Sequence, residues 1–167
     1  MLTARQVARL QNALPFWMSL LLVPAAIVSA GYGGWAVLLL PLITWYFFAF
    51  LDALLGLNLE NADPMIGEPN LSWYKVITLI WAPVQFCLLF GMIWYVTGPG
   101  DAHLNPLETF LVFFGVGVVT GTVGINYSHE LMHQKDKGER WLGDILLSMV
   151  LYSHFRSEHL HVHHRHV

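Results

Sequence analysis

Eight of the nine histidines in this 167-residue chain fall between His129 and His166. Two of their spacings are those of metal ligands. His129-Glu130-Leu131-Met132-His133 sets two imidazoles at i and i+4, on one face of a helix, with a carboxylate beside them. The same pentad is the signature of zinc proteases, in which the glutamate is the general base. A second cluster runs Ser157-Glu158-His159-Leu160-His161-Val162-His163-His164-Arg165-His166. It repeats the spacing at His159 and His163, and His164 adds a third imidazole. A catalytic zinc takes three protein ligands and leaves one position open. His129, His133, His159, His163 and His164 are five, which suits part of a two-metal site. Interleaving with Glu, Leu, Val and Arg argues against an artificial tag. Glu130 and Glu158 are expected as outer acceptors that orient imidazoles, and His154 as a hydrogen-bonding neighbour of the ligands. His161, about 200° around a helix from His159 at 3.6 residues per turn, and His166 are expected to be solvated. Imidazole accommodates iron, zinc, copper or nickel. A cysteine-poor, histidine-rich site on the end of a membrane bundle fits iron working with dioxygen on a lipid-soluble substrate.

The elements that must position these groups are apolar. Hydrophobic residues make up 56% of the chain and charged residues 11%, against roughly 45–50% and about 25% in a soluble domain. A net charge of −3 with no long run of like charge excludes nucleic acid as a partner. Cys87 is the one cysteine, so no intrachain disulfide and no cysteine-built zinc or iron–sulfur site is possible. Four segments, Leu14 to Ala30, Trp35 to Leu57, Trp73 to Val96 and Leu107 to Ile125, are 17 to 24 residues long, enough to cross about 30 Å of hydrocarbon. The expected fold is an all-α polytopic membrane bundle of four transmembrane helices over 1–128, followed by a metal-site region over 129–167. The first two helices form a tight hairpin at Gly31 to Gly34. Trp141 to Tyr152 is too short to span and is expected as an interfacial or re-entrant helix under the bundle. Gly117 and Gly121 form a small-xxx-small pair that permits close helix approach. Asp52 is an acid within a span, where a functional role is the default expectation. Trp45, Tyr46, Phe47 and Phe48 form an aromatic run; Trp45 and Phe48 are candidates for lining an apolar substrate channel, although such residues also face lipid.

The histidine boxes and the spans together resemble the membrane alkane hydroxylases, a family within the membrane fatty-acid desaturase and hydroxylase superfamily. His129-Glu130-Leu131-Met132-His133-Gln134 is similar to that family's first box, H-E-L-x-H-K. Phe155 to His159, with His163-His164, is similar to its second, E-H-x-x-G-H-H. Asp52 in Leu51-Asp52-Ala53, and Asn126 just before the first box, also resemble the family and join the expected surroundings of the metal. The resemblance implies a non-haem di-iron centre that hydroxylates the terminal carbon of medium- or long-chain alkanes with dioxygen and electrons from a rubredoxin or ferredoxin. It implies a bacterial inner membrane location. It further implies six spans and additional histidine motifs, so the chain reads as an amino-terminal fragment that should be inactive alone. Gln134 and Val162 stand where Lys and Gly are common, leaving alkane and alkyl-aromatic substrates both open. A fatty-acid desaturase, an intramembrane zinc protease using His129, Glu130 and His133, and a metal transporter or sensor are the competing readings. The protease has no use for a second box, and a transporter calls for ionisable residues through the bundle.

Basic residues fix the expected orientation. Arg5 and Arg9 precede the first span, Lys75 borders the loop before the third, and Lys135, Lys137, Arg140, Arg156 and Arg165 follow the fourth; these are all eight. In a four-span arrangement every one lies on the same side, which the positive-inside rule makes cytosolic. Reporter tags at either end should therefore be cytosolic, together with the histidines. A carboxy-terminal tag cleaved by protease added outside intact cells would reverse this topology.

Overall fold

The computed structural model describes residues 13–55 and 71–160, without the side chains of Asp52 and Leu55. No strand occurs among the described residues. Four helices are long and apolar enough to cross a membrane: α1 (Ala13–Tyr32), α2 (Gly34–Leu51), α3 (Ser72–Val96) and α4 (Pro106–Met132). Helical structure continues beyond α2 to Leu55. Two shorter helices follow, α5 (Lys137–Met149) and α6 (Phe155–Glu158).

The departures from regular helix in α1 and α2 lie at prolines. Pro24 has no N–H to return to the Leu20 carbonyl, and the preceding turn tightens to 3-10 geometry at Met18–Leu21. In α2, a 3-10 turn at Gly34–Leu38 precedes Pro41, and a π-turn at Leu42–Phe47 follows it. The aromatic run therefore sits in a widened turn. Between α1 and α2 the chain reverses through Gly33 and Gly34, with φ of +63° and +53°, a region that a Cβ disfavours. The Gly34 N–H donates to Glu108 Oε1 (2.7 Å), and Glu108 Oε2 accepts from the Asn105 N–H (2.8 Å). Asn105 Oδ1 in turn accepts from the Glu108 N–H. This capping box ties the α1–α2 hairpin to the start of α4.

The helices touch closely at two glycines of α4. A Cβ on Gly115 would lie 2.9 Å from Leu40 Cβ, and one on Gly124 would lie within 3.0 Å of the Gln85 amide. Gln85 is fully buried and accepts a hydrogen bond from Trp81 Nε1 (2.9 Å). Gly117 and Gly121, the expected small-xxx-small pair, have nothing within 4 Å of a Cβ position. The close approaches are made instead at Gly115 against α2 and at Gly124 against α3.

The fourth helix does not stop where its hydropathy falls. It continues past Ile125 to Met132, so His129 and His133 ride on the last turns of a membrane-length helix. The break at Asn126 and Ser128 is one of polarity; neither residue interrupts the hydrogen-bonded helix. The next helix starts at Lys137 because Asp136 caps it, its carboxylate accepting from the Glu139 N–H (3.1 Å). It packs beneath α3 and α4. Leu146 and Leu147 are buried, while Trp141 and Ile145 face outward. Gly143 is the point of contact: a Cβ there would sit 3.1 Å from the Ser128 carbonyl oxygen and 3.3 Å from Leu131 Cβ. The buried Ser128 hydroxyl donates to the Gly143 carbonyl (2.9 Å). Lys75 on α3 pairs with Glu139 on α5.

Gly143→Leu should therefore push α5 off α4, with an overpacking cost of about 1–3 kcal/mol. The expected readout is a lower thermal midpoint in detergent by fluorescence-detected size exclusion. Gly117→Leu, placed in open space, should leave that midpoint nearly unchanged.

Candidate metal centre

Two stretches of chain supply the centre. The first is the end of α4, where His129 and His133 share a face with ring centroids 4.7 Å apart. The second is the return after α5. There Leu151 adopts φ +57°, and the Tyr152 N–H bonds back to the Leu147 carbonyl (2.9 Å). The short α6 then delivers His159 at its carboxy-terminal end. An ion pair from Arg156 to Asp144 holds α6 against α5. The His159 ring lies 4.6 Å from that of His129 and 5.3 Å from that of His133.

The three imidazoles converge through their Nε2 atoms. His129 Nε2 is 2.9 Å from His159 Nε2 and 3.3 Å from His133 Nε2. One nitrogen from each residue falls within a set spanning at most 4.8 Å. Two imidazole nitrogens bound to one metal at about 2.0–2.1 Å stand roughly 3 Å apart at right angles and about 3.4 Å apart in a tetrahedron. The two spacings to His129 match those of neighbouring ligands on one cation, and the donor set fits a transition metal. Ligation through Nε2 leaves Nδ1 as a donor toward its surroundings. On His129 that atom faces Glu130 Oε1 at 4.0 Å, beyond hydrogen-bond length.

Phe155 backs the centre. Its ring stacks on His159 with centroids 5.2 Å apart and planes 29° apart, and Tyr152 stacks on its other side at 5.2 Å. The Arg140 guanidinium donates to the carbonyls of Gln134 and Lys135, just past the end of α4, a favourable place for a cation.

A cavity of about 1100 Å³ opens beside His129 and His133 and runs into the bundle. Its wall includes Phe16 and Leu22 on α1, Thr44 and Phe48 on α2, Thr78 on α3 and Asn126 on α4.

Of the residues singled out by sequence, the structure brings together His129, His133 and His159. It places Glu130, Asn126 and Phe48 around the cavity beside them. Trp45 is elsewhere: it is half exposed on the outer face, edge-on to Phe114 at 5.4 Å, and is no part of the cavity wall. His154 and Glu158 are exposed, with the His154 ring against Tyr152 at 4.8 Å. His163 and His164, with His161 and His166, lie outside the described residues, as does the side chain of Asp52. Sequence reasoning missed Phe155, the Arg156–Asp144 pair and the Ser128–Gly143 contact. Phe155 had a signal, since it precedes His159 by four residues.

Residues 106–167 match the family described as Fatty acid desaturase. The chain is 34% identical over 139 residues to an alkane 1-monooxygenase of Ectopseudomonas oleovorans, covering 80% of this chain and 33% of that protein. It is 31% identical over 160 residues to an alkane 1-monooxygenase of Pseudomonas putida, covering 91% and 39% respectively. A similar match, 32% over 160 residues and covering 90% and 38%, joins it to alkane 1-monooxygenase 1 of Alcanivorax borkumensis. The chain is a relative of the alkane 1-monooxygenases over most of its length. It spans between a third and two fifths of the length of these curated relatives. The desaturase-family match begins at Pro106, so it takes in α4, α5 and α6 and every residue of the imidazole cluster.

His129 stands between the other two rings, so His129→Ala should abolish tight binding in a Co(II) titration followed by visible absorption. Phe155→Ala removes only the support for His159 and should weaken binding about tenfold, at the lower end of what outer supporting groups contribute. Unchanged titrations for both variants would show that the rings meet without a metal.

Proposed function

We propose that the protein acts as a non-haem iron monooxygenase that hydroxylates the terminal carbon of medium- or long-chain alkanes, using dioxygen and electrons from rubredoxin. The observation that carries this reading is the opening of the three-imidazole cluster onto an apolar cavity walled by membrane-length helices. His129, His133 and His159 would hold one iron, and His163 and His164 are the candidates for completing a second site. Iron, when bound, supplies the reductive activation of dioxygen by which R–H, O2, two electrons and two protons become R–OH and water.

The chain's own contributions are placement and exclusion. Phe16, Leu22 and Phe48 give the cavity walls that accept a hydrocarbon chain from the bilayer without desolvating any polar group of the substrate. Phe155 holds the His159 ring in one orientation by stacking on it. Ser128, Gly143 and the Lys75–Glu139 pair keep α5 against α4 and α3, which holds the histidine-bearing end of α4 in place beside the cavity. The proposed setting is a bacterial inner membrane with this end facing the cytosol, where an electron donor has access.

Glu130 speaks against the protease alternative. A general base must reach a metal-bound water, whereas its carboxylate is two-thirds exposed and lies on the Nδ1 side of His129, away from the converging Nε2 atoms.

Expressed from its native gene in membranes with rubredoxin and its reductase, the protein should convert octane to 1-octanol, detected by gas chromatography and mass spectrometry. His133→Ala should reduce the product to background. Desaturated acyl chains without alcohol would assign the iron to dehydrogenation, and zinc with peptide cleavage would assign a protease.

A further inference from the structure

The cavity is lined by more hydroxyl groups than an apolar site needs, and their protons are already committed. Thr44 Oγ1 donates to the Leu40 carbonyl (2.7 Å), Thr78 Oγ1 to the Lys75 carbonyl (2.8 Å) and Thr122 Oγ1 to the Val118 carbonyl (2.7 Å). Ser19 and Tyr127 both donate to the Phe16 carbonyl (2.8 Å each). The threonines and Ser19 back-bond within their own helices, the usual way a hydroxyl is accommodated in an apolar setting, and Tyr127 reaches across from α4 to α1. The wall between these helices thus offers almost no N–H or O–H to a guest molecule.

Asn126 is the exception. It lines the same cavity, its side chain is exposed there, and among the described residues its amide makes no hydrogen bond. Tyr74, Lys75, Gln134 and Lys135, the other lining donors, sit at the mouth, level with α5. Asn126 lies deeper, one helical turn before His129 on the same face of α4, a spacing that brings side chains within about 5–6 Å at Cβ. Away from the mouth and the imidazoles, its amide is the lining side chain that can both donate to and accept from a bound molecule.

We infer that Asn126 is the hydroxyl-binding residue of this cavity and holds the oxygen of a primary alcohol beside the imidazole cluster. The inference rests on the monooxygenase reading, in which a terminal carbon reacting next to the histidines becomes a terminal alcohol. Its oxygen would then emerge within reach of a group that both donates through Nδ2 and accepts through Oδ1. Asn126 is on this account a positioning residue for product. It makes the alcohol a better ligand than the alkane it came from, and hence a competitor of the next substrate molecule.

The test compares binding rather than turnover. Radiolabelled decane and 1-decanol are partitioned into lipid nanodiscs with and without the protein, and the protein-dependent excess gives an affinity for each. The wild-type protein should prefer 1-decanol by roughly 3- to 10-fold after correction for lipid partitioning, the range of one net hydrogen bond. Asn126→Leu, which keeps the volume, should lose the preference, the ratio of the two affinities falling to about 1, and Asn126→Ala should do the same. A wild type with no preference overturns the inference whatever the variants do, and so does an Asn126→Leu protein that retains it. Failure of the monooxygenase reading would show differently, as an alcohol preference that depends on Asn126 in a protein that converts no alkane.

Discussion

Everything about the centre depends on how closely α5 approaches α4 at Gly143. The histidines come from two stretches of chain about thirty residues apart, and only the path through α5 and the turn at Leu151 brings His159 back to His129. Ser128 sits inside the first box's own helix, one residue before His129, and its hydroxyl is bonded to Gly143 (2.9 Å). The contact that docks α5 is therefore made by the same helical turn that presents the imidazole face. Burial of Leu146 and Leu147 adds apolar stabilisation, at about 1.5–3 kcal/mol for each fully buried side chain. The hydrogen bond itself adds on the order of 1 kcal/mol. The hydrogen bond is the smaller contribution, but it fixes the register between the two helices.

Lipid sets the second constraint. With no water in the hydrocarbon core, each backbone group must bond within its own helix, and that requirement explains how polar side chains enter the bundle without penalty. Thr44, Thr78 and Thr122 fold their hydroxyls onto carbonyls of the preceding turn, so each spends its donor on its own helix. Pro24 and Pro41 are accommodated by 3-10 and π geometry next to them while Pro83 stays within regular helix, and the π-turn at Leu42–Phe47 turns the aromatic run relative to a regular helix. Phe48 consequently lines the cavity while Trp45, three residues earlier, packs on the outer face against Phe114.

The parts of this architecture legible in the sequence are those that depend on one helix at a time. Four spans follow from length and hydropathy, and the first box follows from i, i+4 spacing. Which faces of the spans meet is a different matter, because a membrane helix is apolar all round and carries no stripe to mark its inner side. The expectation at Gly117 and Gly121 failed for that reason, while Gly115 and Gly124 form the contacts. The end of α4 was placed too early because hydropathy falls at Asn126 although helix formation does not. Phe155 escaped notice because its value lies in stacking on a ring from the same short helix, a relation that periodicity suggests but cannot rank. Convergence of His159 with His129 and His133 was legible only as shared chemistry; the turn at Leu151 and the Arg156–Asp144 pair supply the geometry.

The imidazole cluster also constrains its own occupancy. A neutral imidazole carries one N–H, so His129 Nε2 can either donate to one neighbouring nitrogen or accept from it. In the cluster it stands 2.9 Å from one Nε2 and 3.3 Å from another. Without a cation, satisfying both contacts requires alternating tautomers, with one ring donating through Nε2 and the next accepting. A metal held by His129, His133 and His159 through Nε2 would leave each ring's proton on Nδ1. The remaining Nδ1–H groups then need outward acceptors. Glu130 stands 4.0 Å from the Nδ1 of His129, where a small rotation of an exposed carboxylate completes a hydrogen bond. Convergence of the Nε2 atoms, with the Nδ1 of His129 turned toward an outer carboxylate, is the arrangement in which the three rings could ligate together.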